Sequence, residues 1–319
     1  EAEKIIGIGS SSLRLISYLD AVDKVVGVEQ SELEDNVTCS YRHVNHDTFK
    51  DLPVIGDGGS KGTTPNEEAI MQVAPNVIFA SIDKDAADAL QEKTGIPVVC
   101  LTLSDIVFDQ VFYDNVNLMG DIVGKRDRAE EIVAYMQDTQ TDLEKRTAGI
   151  ADADRITAYA AGISFRGGHG FAGTEAHFPP FEETNVQNIA DVEGANGAFD
   201  IDLEKVAAAQ PDCIFVEGGN LPLIEEDYDA NPAYFAALDA VQDKKTYTLI
   251  SYRFYATNIE LALANCYQVG AVAYPEQFKD VDPTQKLDEI TEFFLGKKLS
   301  GDLSAEGYEF KQVDLANIA

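Results

Sequence analysis

Asn66-Glu-Glu-Ala-Ile-Met-Gln-Val-Ala-Pro-Asn-Val-Ile-Phe-Ala80 decides the fold, because Asp202-Leu-Glu-Lys-Val-Ala-Ala-Ala-Gln-Pro-Asp-Cys-Ile-Phe-Val216 can be laid on it without a gap, 136 residues later. Each copy reads as a short helix feeding a strand. Asn66 or Asp202 supplies an N-cap, an apolar stripe follows, and Pro75 or Pro211 stops the helix just before a buried apolar run. Glu68 aligns with Glu204, and Ile78-Phe79 with Ile214-Phe215. Read blandly, these are two ordinary αβ units of one α/β protein. Read more sharply, they mark two similar lobes, each presenting a glutamate at the same place.

Working outward, helices and strands alternate, which predicts an α/β fold with mainly parallel sheets. Lys4–Ile8 is a strand, Gly9-Ser-Ser-Ser12 a turn, Leu13–Leu19 a helix and Val25–Val28 the next strand of a first βαβ step. Glu29 to Lys61 reads as polar and irregular. Helix Lys84–Lys93 then leads to a strand over Gly95–Leu101. From 109 to 148 the pattern is helical, broken only around Gly124, and a helix of about 20 residues spans some 30 Å. The second half opens on strand Arg155–Ala161 and continues into a glycine- and aromatic-rich loop, Gly162–Phe181, of a length that is usually functional. A strand over Thr246–Ile250 and helices over Ile259–Ala273 and Pro283–Leu295 complete the pattern. The expected organisation is an N-terminal α/β lobe over 1–108, a helical connector over 109–148 and a C-terminal α/β lobe over 149–319.

The 319 residues exceed what a single core comfortably holds, so two lobes are the default. A net charge of −32 disfavours nucleic acid and anionic lipid as partners. No apolar run approaches the roughly 20 residues needed to cross a bilayer, so no direct membrane insertion is expected. The four cysteines show no metal-ligand spacing; Cys100 and Cys213 lie in apolar runs and are expected to be buried.

Ligands of open α/β sheets bind beyond the carboxyl ends of the strands. The residues there are Ser11, Ser12, Arg14, Arg42 and His43 in the first half, and Ser164, Arg166, His169, Glu175, His177, Tyr252, Arg253 and Tyr255 in the second. Serine, arginine and aromatic side chains suit an anionic, partly apolar ligand. Arg14, Arg42, Arg166 and Arg253 fall in segments read as loops following strands, as do all four histidines. His43, His169, Glu175 and His177 offer an alternative, a metal-dependent α/β enzyme, although their spacing matches no zinc signature. No Gly-x-Ser-x-Gly elbow, Walker loop or local Cys/His pair is present. No catalytic residue, resident metal or cofactor is expected.

In their order and spacing, residues 4–28, the two copies of the repeat, Gly168–Phe181 and Phe254-Tyr-Ala-Thr-Asn258 resemble ABC-transporter substrate-binding proteins of the iron-siderophore, haem and cobalamin type. The resemblance implies two Rossmann-like lobes with mainly parallel sheets joined by one long rigid α-helix, a ligand held between them, and a monomer. It implies an extracytoplasmic location, with a lipid anchor through a cysteine upstream of Glu1, and partners in a permease dimer with its ATPase. Glu68 and Glu204 occupy the places of the glutamates that dock on that permease. The ligand implied is a metal chelate. An anionic ferric-siderophore-type complex fits the arginines best. Haem, with Tyr252, Tyr255, His169 or His177 as an axial or stacking contact, cobalamin, a small oxyanion such as molybdate, or a bare metal ion are the alternatives.

Overall fold

In a computed structural model, which describes residues 1–59, 62–104 and 106–317, the repeated stretch folds twice into the same elements. Asn66 caps a helix over Glu67–Val73 by accepting the Ala69 N–H at 3.1 Å, and Asp202 caps Leu203–Ala209 by accepting the Glu204 N–H at 3.0 Å. Both helices stop on a left-handed residue, Ala74 (φ 49°) or Gln210 (φ 45°), directly ahead of the proline. The strands that follow, Val77–Ala80 and Cys213–Glu217, are buried throughout. Ile70 and Val206, also 136 residues apart, are the buried residues of the two helices.

The chain packs into two units. The first comprises Glu1–Thr139 together with Phe254–Asn258 and Glu292–Lys297; the second comprises Gln140–Arg253, Ile259–Thr291 and the chain from Lys298. In the first unit, Val77–Ala80 is the middle strand of a parallel sheet, between Ile5–Ile8 and Val98–Cys100. In the second, Cys213–Glu217 lies between Thr157–Ala161 and Thr246–Leu249, with Gln187–Asn188 beyond, again all parallel. The sequence repeat is therefore the central αβ step of each unit. Ile6, Ile8, Ile55, Ile70, Ile78 and Leu90 form one core, and Tyr159, Phe171, Val206, Ile214, Val216 and Phe235 belong to the other.

The helices at 110–147 are Gln110–Val123 and Arg126–Thr147, separated at Gly124, whose φ of 72° is open to glycine at little cost. Ile259–Ala273 and Pro283–Leu295 are helices as the periodicity predicts. Four local expectations are corrected. Val25–Val28 makes two isolated parallel bridges, to Ile5 and Val54, and no continuous strand. The stretch read as irregular contains a helix over Ser40–Phe49; its last two residues, 60 and 61, lie outside the described residues. Gly173–Ala176, inside the expected long loop, pairs antiparallel with Gly197–Asp200. Cys213 is buried, whereas Cys100 is exposed because its strand is the sheet edge, and its thiol donates to Ile82 O.

Two measurements follow. Ile70→Ala should lower stability by about 2 to 5 kcal/mol, whereas Met71→Ala, at an exposed neighbouring position, should stay within about 0.5 kcal/mol of wild type in denaturant unfolding. Because the net charge of −32 opposes compaction, the unfolding temperature should rise from low to moderate salt as that repulsion is screened; an unchanged midpoint would contradict this.

Candidate functional site

At the carboxyl end of the first unit's sheet, the Ile5–Ile8 strand turns through Gly9 into a helix over Ser12–Tyr18. Ser12 donates its hydroxyl to Ile8 O at 2.8 Å, which fixes that turn and buries Ser12. Ser10 and Ser11 remain partly exposed. Arg14 is only 1% exposed. Its guanidinium donates to Ser11 Oγ at 2.7 Å, to Phe254 O at 3.2 Å and to Tyr255 O at 2.8 Å. These last two bonds matter because Tyr255 (φ 54°) and Ala256 (φ 67°) are successive left-handed residues, a conformation costing roughly 1–2 kcal/mol per non-glycine residue. Arg14 thus holds a strained backbone in place.

Arg42, 2% exposed, lies behind the same segment. It donates Nε–H to Glu32 at 2.7 Å and its guanidinium carbon lies 4.5 Å from the Tyr255 ring centre and 5.9 Å from that of Phe254. Burial works against the Arg42 charge, but Tyr41 and Glu32 outweigh it and keep the group above its usual range. Tyr41 donates its hydroxyl to Glu32. Beside them, Glu29 accepts the Gly9 N–H at 2.8 Å and the Tyr255 hydroxyl at 3.2 Å. Burial pushes the Glu29 carboxyl up to about 7; the Gly9 N–H opposes this and the Glu32 charge adds to it. The outcome is a buried, mostly satisfied network that leaves Phe254, at 37% exposure, as its face to solvent.

The second unit builds its carboxyl-end face differently. Glu217, the last residue of the central strand, accepts Ser164 N–H at 2.9 Å and Ser164 Oγ–H at 2.7 Å, and Asn220 donates to Gly162 O and to Ser164 Oγ. The next residues form an exposed loop in which Arg166 adopts φ 53°. His169 stacks on Phe165, with ring centres 3.6 Å apart, and contacts Asp200 Oδ1 and Phe165 O. Arg253 pairs with the buried Glu175 and lies over the Tyr252 ring. Burial raises the Tyr252 hydroxyl far above its usual range, and the Glu175 charge adds to that.

The structure therefore gathers Ser11, Ser12, Arg14, Arg42 and Tyr255 in the first unit. In the second it pairs Glu175 with Arg253 and sets Tyr252 beside them. His43 contacts Asp35, and His177 contacts Glu182 with its side chain 59% exposed. Arg42, His43 and His46 lie on a helix and not in a loop, since Ser40–Phe49 buries a polar face, while Arg14 lies on Ser12–Tyr18, the helix expected over Leu13–Leu19. Of the four arginines, Arg166 is the exposed one. Among the described residues, no group of three or more His, Cys, Asp or Glu side chains is arranged to hold a metal ion. Glu29 and Glu32, which organise the first network, carry no sequence signal: they sit in a polar stretch without periodicity. Glu68 and Glu204 are exposed in the first turns of the repeated helices.

Comparison with known proteins bears on the family and the fold. The sequence model of a family described as periplasmic binding protein matches residues 5–252. The iron-uptake system-binding protein of Bacillus subtilis (strain 168) is 26% identical over 245 residues, 73% of this chain and 73% of the relative. Among solved structures, the TroA-like periplasmic binding protein FepB from Veillonella parvula superposes with a TM-score of 0.71 at 19% identity, covering 98% of this chain and 95% of that one. The molybdate-bound MolA of Haemophilus influenzae gives 0.67 at 19% identity, with 93% of each chain covered. With the family's sequence pattern extending over more than three quarters of its length and two parallel α/β units built on one repeated step, the chain belongs to the periplasmic binding protein family.

Proposed function

We propose that the chain is the substrate-binding protein of an ABC importer, which captures a metal chelate of the anionic ferric-siderophore type outside the cytoplasm and delivers it to a permease dimer with its ATPase, without turning it over. The observation that carries the reading is the family match over residues 5–252. Iron is favoured by the function named for the Bacillus subtilis relative. An anionic periphery is favoured by Arg166, exposed on the glycine-rich loop; Arg253, on the same unit, is partly exposed but paired with Glu175. Arg14 and Arg42 contribute indirectly, since their contacts go to the chain itself.

Docking on the permease is assigned to Glu68 and Glu204. Each is the exposed acid in the first turn of the repeated helix, so the two units offer the same charge at the same structural position. An upstream lipid anchor would keep such a protein at the membrane surface.

A thermal-shift panel of ferric siderophores, haemin, cobalamins, molybdate and divalent metals tests the ligand. A ferric siderophore at about 100 times its dissociation constant should add some 2.7 kcal/mol of stability; a shift with bare metal and none with any chelate would refute the proposal. The double variant Glu68→Lys, Glu204→Lys should keep wild-type ligand affinity while uptake in cells is lost. Weakened ligand binding would show that these glutamates have another role.

A further inference from the structure

Three distant stretches of the first unit meet on one buried carboxyl group. Glu29 Oε2 accepts the Gly9 N–H from the turn after the first strand and the hydroxyl of Tyr255, and that hydroxyl in turn accepts the Gly59 N–H at 3.2 Å. Thr63 also hydrogen-bonds the carboxyl, and Ser31 borders the Tyr255 hydroxyl. Glu32, on the adjoining turn, acts on it as a like charge. On the two helices behind, Arg42 is engaged by Glu32 and stacks on the Tyr255 ring, while Arg14 grips Tyr255 O and lies 5.0 Å from the Tyr41 ring centre. Cys39 and Tyr41, packed against those arginines, are held protonated by burial, with the Glu32 charge acting in the same direction. The Tyr255 hydroxyl is likewise pushed up to about 12 by burial and by Glu29. Glu29, by contrast, can change charge in the neutral range.

We propose that Glu29 is a proton-binding site that sets how tightly Phe254–Asn258 packs on the first unit, and thereby how Phe254 is presented to solvent. The segment is suited to respond, because it holds two left-handed residues in succession and is kept there by hydrogen bonds. In the packed state the carboxyl takes up a proton with a midpoint of about 7, against an ordinary 4.5 once water reaches it. The folded value is raised, so the packed state binds the extra proton. Packing is then strongest below about 4.5, weakens as pH rises toward about 7 and is level above that.

Hydrogen exchange of the Tyr255–Asn258 amides in the ligand-free wild-type protein, corrected for intrinsic base catalysis, tests this directly. Release of one proton on opening requires the opening constant to rise about tenfold per pH unit between pH 5 and pH 7, and in Glu29→Gln it should not change with pH. Since the chain contains no tryptophan, Phe254→Trp gives a second readout from a single indole, whose quenching by acrylamide should rise over the same interval. Protection that is constant with pH in the wild type, or a transition that survives in Glu29→Gln, overturns the proposal. No ligand enters either measurement, so that outcome would leave the transport reading untouched.

Discussion

A left-handed residue placed between a helix and a proline governs both units. Ala74 and Gln210 end their helices after seven residues, and the proline that follows forbids any continuation. The chain has no choice but to leave the helix in a fixed direction and enter the sheet in its middle position. Everything else in each unit is arranged around that central strand: the flanking strands pair with it in parallel, and the helix packs its one buried apolar side chain, Ile70 or Val206, into the core beneath. The energy of the step comes from burial, but its direction comes from backbone sterics.

The first unit uses arginine as a core residue, and that shapes its surface. Two guanidiniums within 2% of full burial would be costly if unpaired. Arg42 is balanced by Glu32, and Arg14 by a serine and two carbonyl oxygens. Removing one partner would strand a charge, which is why such networks tolerate little change. The same charges that would attract an anion if exposed are here committed to holding a strained segment, and the solvent-facing member of the network is an aromatic ring.

How much of this was legible in the sequence depends on whether apolar residues made the pattern. The central αβ steps, the break at Gly124 and the helices Ile259–Ala273 and Pro283–Leu295 follow from apolar periodicity and from proline and glycine placement, which act locally. The Ser40–Phe49 helix did not show because its buried residues are Ser40, Tyr41, Arg42 and Phe49, a face that a hydrophobic pattern does not register. Gly173–Ala176 was hidden for a related reason: Gly-Thr-Glu-Ala is fully buried without being apolar. Candidate positions at the strand ends could be collected from topology alone. Which of them point outward could not, because Glu29, Glu32 and Glu175 claim Tyr255, Arg42 and Arg253 only through contacts between residues 10 to 226 positions apart.

The helix Arg126–Thr147 has its residues through Thr139 in one unit and those from Gln140 in the other. Helices are costly to start and cheap to extend, so neither unit can melt without fraying a helix that the other has already nucleated. Thermodynamic cooperativity is thus carried by the covalent chain itself.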